Sequence, residues 1–223
     1  MDDKILLLLP VLAVVTAVAS VLLFWGLPAW LQRKRGAALR SEAEKWGLEF
    51  IGDGGALIQA DLMEFDLLSQ PGAKRIRNVM IRRSGEGNLA VFDLRVRTGS
   101  GQHSFVEQET VAMIESERLN LPRFSMQPEK FYHRLSGMTG GEDIDFPDRS
   151  TFNRHYFLQG EDSLAVRAFF ADRIITWFEI QQGWKVEAAG KRFVLWKHNK
   201  RVKAEDLGGL LSQAKELKDL FMG

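Results

Sequence analysis

The sequence predicts an α+β protein, with an N-terminal transmembrane helix followed by an antiparallel-sheet domain with packed helices. Three observations lead there. An uncharged run opens the chain, consecutive segments in its middle alternate with the period-two pattern of strands, and two later segments repeat apolar residues every three to four positions.

No charged residue occurs from Ile5 to Gln32, and the apolar core of that run, ILLLLPVLAVVTAVASVLLFWGL, is 23 residues long. At about 1.5 Å per helical residue it reaches roughly 34 Å, enough for a hydrocarbon layer of about 30 Å. A cleaved signal peptide fits less well, because the leader MDDK is acidic and the run continues past the small-residue stretch AVAS. Residues 1–32 are therefore expected to be a membrane anchor. Trp25 and Trp30 suit an interfacial position, and Arg33, Lys34 and Arg35 outweigh Lys4. By the positive-inside rule the N-terminus faces out and the remainder is cytoplasmic, in a single-pass protein of the cell's inner membrane. Within the anchor, Ala13, Ala17 and Ser20 fall on one helical face of small residues, the kind of face that packs on other transmembrane helices.

Residues 33–47 form a juxtamembrane helix in this reading, with Leu39, Ala43 and Trp46 among alternating charges and Gly47 as its stop. Residues 48–223 form the α+β domain, with any division into two subdomains falling within 120–150. LEFI suggests a short strand and ADLMEFDLL a short helix. RIRNVMIRR, NLAVFDLRVRT and HSFVEQETVAMI then make a three-stranded meander. Its links SGEGN and TGSGQ carry the glycines that tight turns need. In the middle strand Ala90, Phe92, Leu94 and Val96 point to a buried face, and Val91, Asp93, Arg95 and Arg97 to the other.

The next thirty or so residues hold Pro122, Pro128 and Pro147 and three glycines, which interrupt any long regular element. From Glu161 the period becomes helical, with Val166, Phe169, Phe170, Ile174, Trp177 and Phe178 on one side. WKVEAAGKRFVLWKH is a hairpin turning at residues 188–190. AEDLGGLLSQAKELKDLF is a terminal helix facing inward through Leu207, Leu210, Leu211, Ala214, Leu217 and Phe221.

Composition removes several functions. The chain has 30 Lys+Arg and 29 Asp+Glu, and leaving out Asp2, Asp3 and Lys4 gives 29 against 27 for the part after the anchor. That balance does not suit a nucleic-acid binder. The absence of cysteine excludes disulfides, thiolate metal sites and thiol catalysis. Glu142, Asp143, Asp145 and Asp148 gather in one loop without the ligand ladder of a calcium hand, so a solvated acidic loop is expected. Glu107 and Glu109 share a strand face but lack a facing partner that the sequence can name. The histidines, at 103, 133, 155 and 198, show no helical metal-pair spacing, and no cofactor is expected. Lys197, Lys200, Arg201 and Lys203 could meet anionic lipid if the hairpin lies near the membrane surface.

The stretches VFDLRV, QETVAMIES, LNLPRFSMQPE, DIDF and FNRHYFLQGED together resemble a group of uncharacterised bacterial proteins made of one membrane helix and a cytoplasmic α+β domain. The resemblance implies that architecture and transfers no catalytic residue. Absence of a local catalytic signature favours a non-enzymatic accessory or scaffolding subunit of a larger membrane complex, such as a photosynthetic, respiratory or transport assembly. It would dock through transmembrane helices and its cytoplasmic domain. The alternative is a membrane-tethered enzyme with a site near His133, His155 and the 142–148 loop.

Overall fold

A computed structural model describes residues 12–17, 19–20, 26–68, 72–101, 104–132 and 143–223. Its frame is one eight-stranded sheet in the order β1-β2-β3-β4-β8-β7-β5-β6, every neighbouring pair antiparallel. The strands are β1 (Glu49–Gly52), β2 (Ala73–Ser84), β3 (Gly87–Thr98), β4 (Phe105–Glu115), β5 (Leu121–Pro128), β6 (Tyr156–Gly160), β7 (Trp184–Gly190) and β8 (Arg192–Lys197). The helices are α1 (Leu27–Lys45), α2 (Gly55–Leu62), α3 (Glu129–Tyr132), α4 (Ser150–His155), α5 (Ser163–Phe169), α6 (Asp172–Ile180) and α7 (Leu207–Met222).

The meander pairs β3 with β4 in unbroken register from Asn88↔Glu115 to Thr98↔Phe105, and β2 with β3 from Ser84↔Gly87 to Ala73↔Arg97 across a bulge between Arg77 and Met80. Hairpin β7-β8 then joins β4 through β8, and β5 joins β7, so the late hairpin cements two halves of a single sheet. β5 is a strand that the prolines hid. Pro122 sits in the register shift between Leu121 and Phe124, and Pro128 ends the strand, so neither interrupts a regular ladder. The helix expected from Glu161 is two helices. Asp162 caps α5 by accepting from the N–H groups of Leu164 and Ala165, and the extended Ala171 separates it from α6.

Strand alternation puts two cores on opposite faces of the sheet. One face carries Met80, Val91, Ala112, Phe124, Met126, Leu158, Val186, Phe193 and Leu195, covered by α1, α4, α5, α6 and α7. Aromatic rings fill it edge to face, with Phe124 and Phe170 centroids at 5.1 Å and Phe193 and Phe221 at 5.1 Å. The inward residues of α7 are Leu207, Leu210, Leu211, Ala214, Leu217 and Phe221. The opposite face carries Val79, Ile81, Phe92, Leu94, Val111, Val194 and Trp196 under Ile58, Leu62, Phe65 and Leu67, supplied by α2 and the turn after it. Val91 and Asp93 are therefore buried as well, and β3 has no solvent face at its centre.

The expected transmembrane helix is corrected here. Among the described residues no helix is long and apolar enough to cross a membrane. Of the apolar run, residues 12–17, 19–20 and 26–27 are described and helical, while Pro10 and Trp25 lie outside the described residues. The helix that has the length, α1, carries Arg33, Lys34, Arg35, Arg40, Glu42, Glu44 and Lys45, and it lies on the sheet through Leu39 and Ala43. A segment with that many charges packs against protein, not hydrocarbon. The single-pass architecture, the inner-membrane location and the N-out topology derived from the anchor are withdrawn with it.

Gly87 closes the β2-β3 hairpin at φ 133°, and a Cβ there would sit 2.1 Å from the carbonyl oxygen of Glu115. Gly190 has φ 56° and open space around it. Gly87→Ala is expected to cost on the order of 2–3 kcal/mol and Gly190→Ala only about 1, measured by urea denaturation; equal costs would show that conformation alone, not the close approach, governs both turns.

Candidate functional site

Two groups of buried polar side chains occupy the two faces of the sheet. The first surrounds Asp93, which β3 directs toward α1. Arg35 of α1 grips its carboxylate with Nε to Oδ2 at 2.8 Å and Nη2 to Oδ1 at 2.7 Å. Asn78 Nδ2 and Thr110 Oγ1 donate to it at 2.8 Å each, and Arg201 Nη2 does so at 3.2 Å. Asn78 reaches it from a bulge in β2, where its backbone takes φ 51°, a conformation asparagine tolerates. Arg201 also donates to Gln108 at 2.8 Å and to Gln32 at 3.3 Å. Burial alone would raise the Asp93 pKa; the Arg35 hydrogen bonds and charge, with Asn78 and Arg201, outweigh it and hold the carboxyl below its usual range.

Several residues that the sequence marked for a membrane surface are thereby spent elsewhere. Arg35 and Arg201 close this knot. Lys197 lies 4.6 Å from the Trp184 ring centroid and donates to the Gln182 carbonyl at 3.0 Å, and burial, then Lys200, pushes its pKa down. Lys203 faces Glu205 at 3.5 Å, and Lys200 is exposed. Arg33 is exposed, and the Lys34 ammonium is 5.3 Å from the exposed Trp30 ring. Ala13, Ala17 and Ser20 are exposed, and Ser20 Oγ donates to the Thr16 carbonyl at 2.7 Å.

The second group lies on the other face, where β4, β8, β7, β5 and β6 exchange apolar residues for polar ones. Glu107 and Glu109 of β4 face His198, the first residue past β8: Nδ1 is 3.5 Å from Glu109 Oε1 and Nε2 is 3.6 Å from Glu107 Oε1. The partner that the sequence could not name for this carboxylate pair is thus a histidine ninety residues on. One donor atom from each of the three lies within 4.8 Å of the others. Asn199, at φ 47°, pins the turn to β4: its N–H donates to Glu109 Oε1 at 3.0 Å and its Oδ1 accepts the Gln108 N–H at 3.1 Å.

Next along the same face come Lys185 and Glu187 of β7, both buried. The Lys185 ammonium is 5.5 Å from the Trp196 ring centroid. Burial pushes its pKa down against the opposing pull of Glu109, Glu187 and Glu107. Burial pushes the Glu187 carboxyl up to about 7; the Leu67 N–H, donating to Oε2 at 3.0 Å, opposes the rise and Asp66 adds to it. A cleft of about 290 Å³ opens beside Glu187, between the 64–66 loop and β5, β6 and β7. Gln159 lines it, buried, with an Oε1 that has no hydrogen-bond partner among the described residues. Neighbouring groups with pKa values pushed in opposite directions are a common property of working sites.

The enzyme site anticipated near residues 133–155 does not assemble among the described residues. His133 and Glu142 lie outside them, His155 Nδ1 is bound to the Thr151 carbonyl at 2.6 Å, and Asp143 accepts the Leu158 N–H at 3.0 Å. Asp143 thus tethers the loop to β6, with burial as the main cause of its raised pKa. Sequence reasoning missed Asp93, Lys185 and Glu187. WKVEAAG alternates perfectly, so its charged positions look solvated. Only the apolar Val91 on the face of Asp93 hinted that the second side was covered.

No protein family matches the chain, and no curated protein does. Among solved structures, the crystal structure of the mycobacterial trehalose monomycolate transport factor A, TtfA, is similar. It is 12% identical with a TM-score of 0.56, over 84% of this chain and 94% of that one. At that identity the likeness shows a shared fold.

Two stability tests separate the groups. Asp93→Ala leaves two guanidinium groups facing a buried void and is expected to cost on the order of 3–5 kcal/mol in urea denaturation. Because the folded Asp93 pKa is depressed, its contribution is full above the usual carboxylate value of 3.8 and fades as the pH falls below it. Glu187 has the opposite sign. Its raised pKa means that wild-type stability declines as pH rises from 4.5 through about 7. Glu187→Gln should therefore stabilise the protein by about 3 kcal/mol at pH 8 and hardly at all at pH 4.5, and a pH-independent difference would rule out its ionisation as the cause.

Proposed function

We propose that this chain is a non-enzymatic accessory protein that docks on a partner protein through its N-terminal arm, with the sheet as the rigid body to which the arm is fastened. The observation that carries this is the exposure of the arm's large apolar side chains. Leu27 is 46% exposed, Trp30 55% and Leu31 50%, and farther out Leu12, Val14 and Val15 are 61%, 62% and 57% exposed. Six of the large apolar side chains exposed among the described residues fall within residues 12–31, while the others are scattered over the sheet domain, and apolar side chains gathered in one stretch mark an interaction surface. Trp is also the residue type most enriched at interface anchors.

The arm is not a loose appendage. Arg35 and Gln32 on the same helix reach the Asp93 network, two turns or less from Trp30 and Leu31, so the exposed residues are presented by a clamped base. Preorganisation of this kind lowers the entropy lost on binding. A similar fold carries a transport factor in mycobacteria, which agrees with a factor's role here.

The test uses the full chain in its native cell. A photo-crosslinking residue at Leu31 is expected to capture one defined protein, and the same residue at the exposed Lys215 is not. Leu27→Glu/Leu31→Glu should abolish co-purification of that protein while leaving the thermal melt unchanged, since both positions are exposed. A wild type that purifies alone, or a double variant that keeps its partner, overturns the reading.

A further inference from the structure

We propose that Glu107, Glu109 and His198 form a binding site for one divalent transition-metal ion of the zinc class. The proposal is independent of the docking function above. It starts from the donor set: two carboxylates and one imidazole, placed by two different constraints. Strand alternation puts Glu107 and Glu109 on one face, and the Asn199 turn brings His198 over them. The backbone N–H of Asn199 holds Glu109 Oε1, so a ligand oxygen is oriented by a second interaction, as in established metal sites.

Spacing agrees with the size of the ion. Metal–ligand bonds of about 2.0–2.1 Å in a tetrahedron place neighbouring donors roughly 3.4 Å apart. The His198 Nδ1 to Glu109 Oε1 separation is 3.5 Å. Glu107 Oε1 lies 3.6 Å from the other ring nitrogen, Nε2, and within 4.8 Å of the donor set, so its side chain, at 32% exposure, completes the site by swinging toward Nδ1. The side chains of His198 and Glu109 are 13% and 7% exposed. The ion would therefore be half enclosed, entering from the Glu107 side and keeping a position there for water. Imidazole with carboxylate favours zinc, cobalt or nickel over calcium and magnesium, which take oxygen ligands alone.

Electrostatics point the same way. Glu107 and Glu109 both act on the Lys185 ammonium, and two carboxylates beside an imidazole make a place that attracts a divalent cation.

The experiment uses the full chain without an affinity tag, stripped with chelator and desalted. Titration with Co²⁺ should reach one equivalent with the visible absorption of a tetrahedral ion, and Zn²⁺ should displace it. Glu107→Gln, at a half-exposed position, should weaken Co²⁺ binding at least about tenfold, and Glu109→Gln/His198→Gln should abolish it. Mg²⁺ should not compete. The proposal fails if the wild type binds neither ion, which would leave His198 to its interactions within the protein. It fails equally if Glu107→Gln binds Co²⁺ as the wild type does. Should the double variant unfold by circular dichroism, Glu107→Gln alone decides.

Discussion

The carboxylate of Asp93 accepts five hydrogen bonds from four side chains, and those side chains belong to elements far apart in the chain. Arg35 comes from α1, Asn78 from the bulge in β2, Thr110 from β4 and Arg201 from the segment leading into α7. α1 and the segment leading into α7 are thus fastened to the middle of one strand. Thr110 Oγ1 also accepts the Val202 N–H at 3.0 Å, so the path into α7 is fixed at two successive residues. A buried carboxylate is tolerated only when it is paired and its lone pairs are filled, and here both conditions are met. The geometry of the terminal helices follows from that satisfaction.

With α1 and α7 held, the sheet can be covered on each side by different means. Helices and aromatic rings cover one face over Met80, Val91, Ala112, Phe124, Leu158, Val186 and Phe193. The other face is apolar only over β2, β3, β4 and β8, where α2 and the 62–67 segment cover it. Arg192 ties that cover down, meeting Glu115 at 2.7 Å, Glu64 at 3.2 Å and Asp61 at 3.3 Å. Beyond its rim the residues become Glu109, Lys185, Glu187, Gln127 and Gln159, all less than a tenth exposed. One sheet therefore carries a hydrophobic half and a titratable half on the same surface, and the change occurs within β4 and β7.

Periodicity made much of this legible. The meander, the late hairpin and the inward residues of α7 all follow from patterns of two or of three to four, because burial of one face imposes those patterns directly. Three features resisted for distinct reasons. β5 was concealed by Pro122 and Pro128, since proline argues against a strand unless a register shift absorbs it. The break at Ala171 leaves the helical period of α5 and α6 almost intact, so the sequence looks continuous. The apolar opening run has the composition of a membrane span, yet the long helix near it proved to be the charged α1, docked on the sheet. Of the site, the carboxylate pair at 107 and 109 was visible from spacing, but its histidine partner is a product of topology: β8 must lie beside β4 before His198 can face them.

What stability alone asks of a protein interior sharpens the meaning of the titratable half. Apolar residues of similar volume generally match or exceed a buried charged group in stability, so Lys185 and Glu187 are not explained as cement. Asp93 differs, because its partners hold chain ends that no apolar side chain could position with the same directionality. The Lys185 ammonium has burial working against it, and the Glu187 carboxyl is pushed up to about 7, so both carry a cost in the folded state. A cost of that kind is the usual companion of a site arranged to meet something from outside. Lys185 and Glu187 both lie on the face opposite α1, so the two most deeply buried of these costly charges are kept apart from the Asp93 network that fastens the helix.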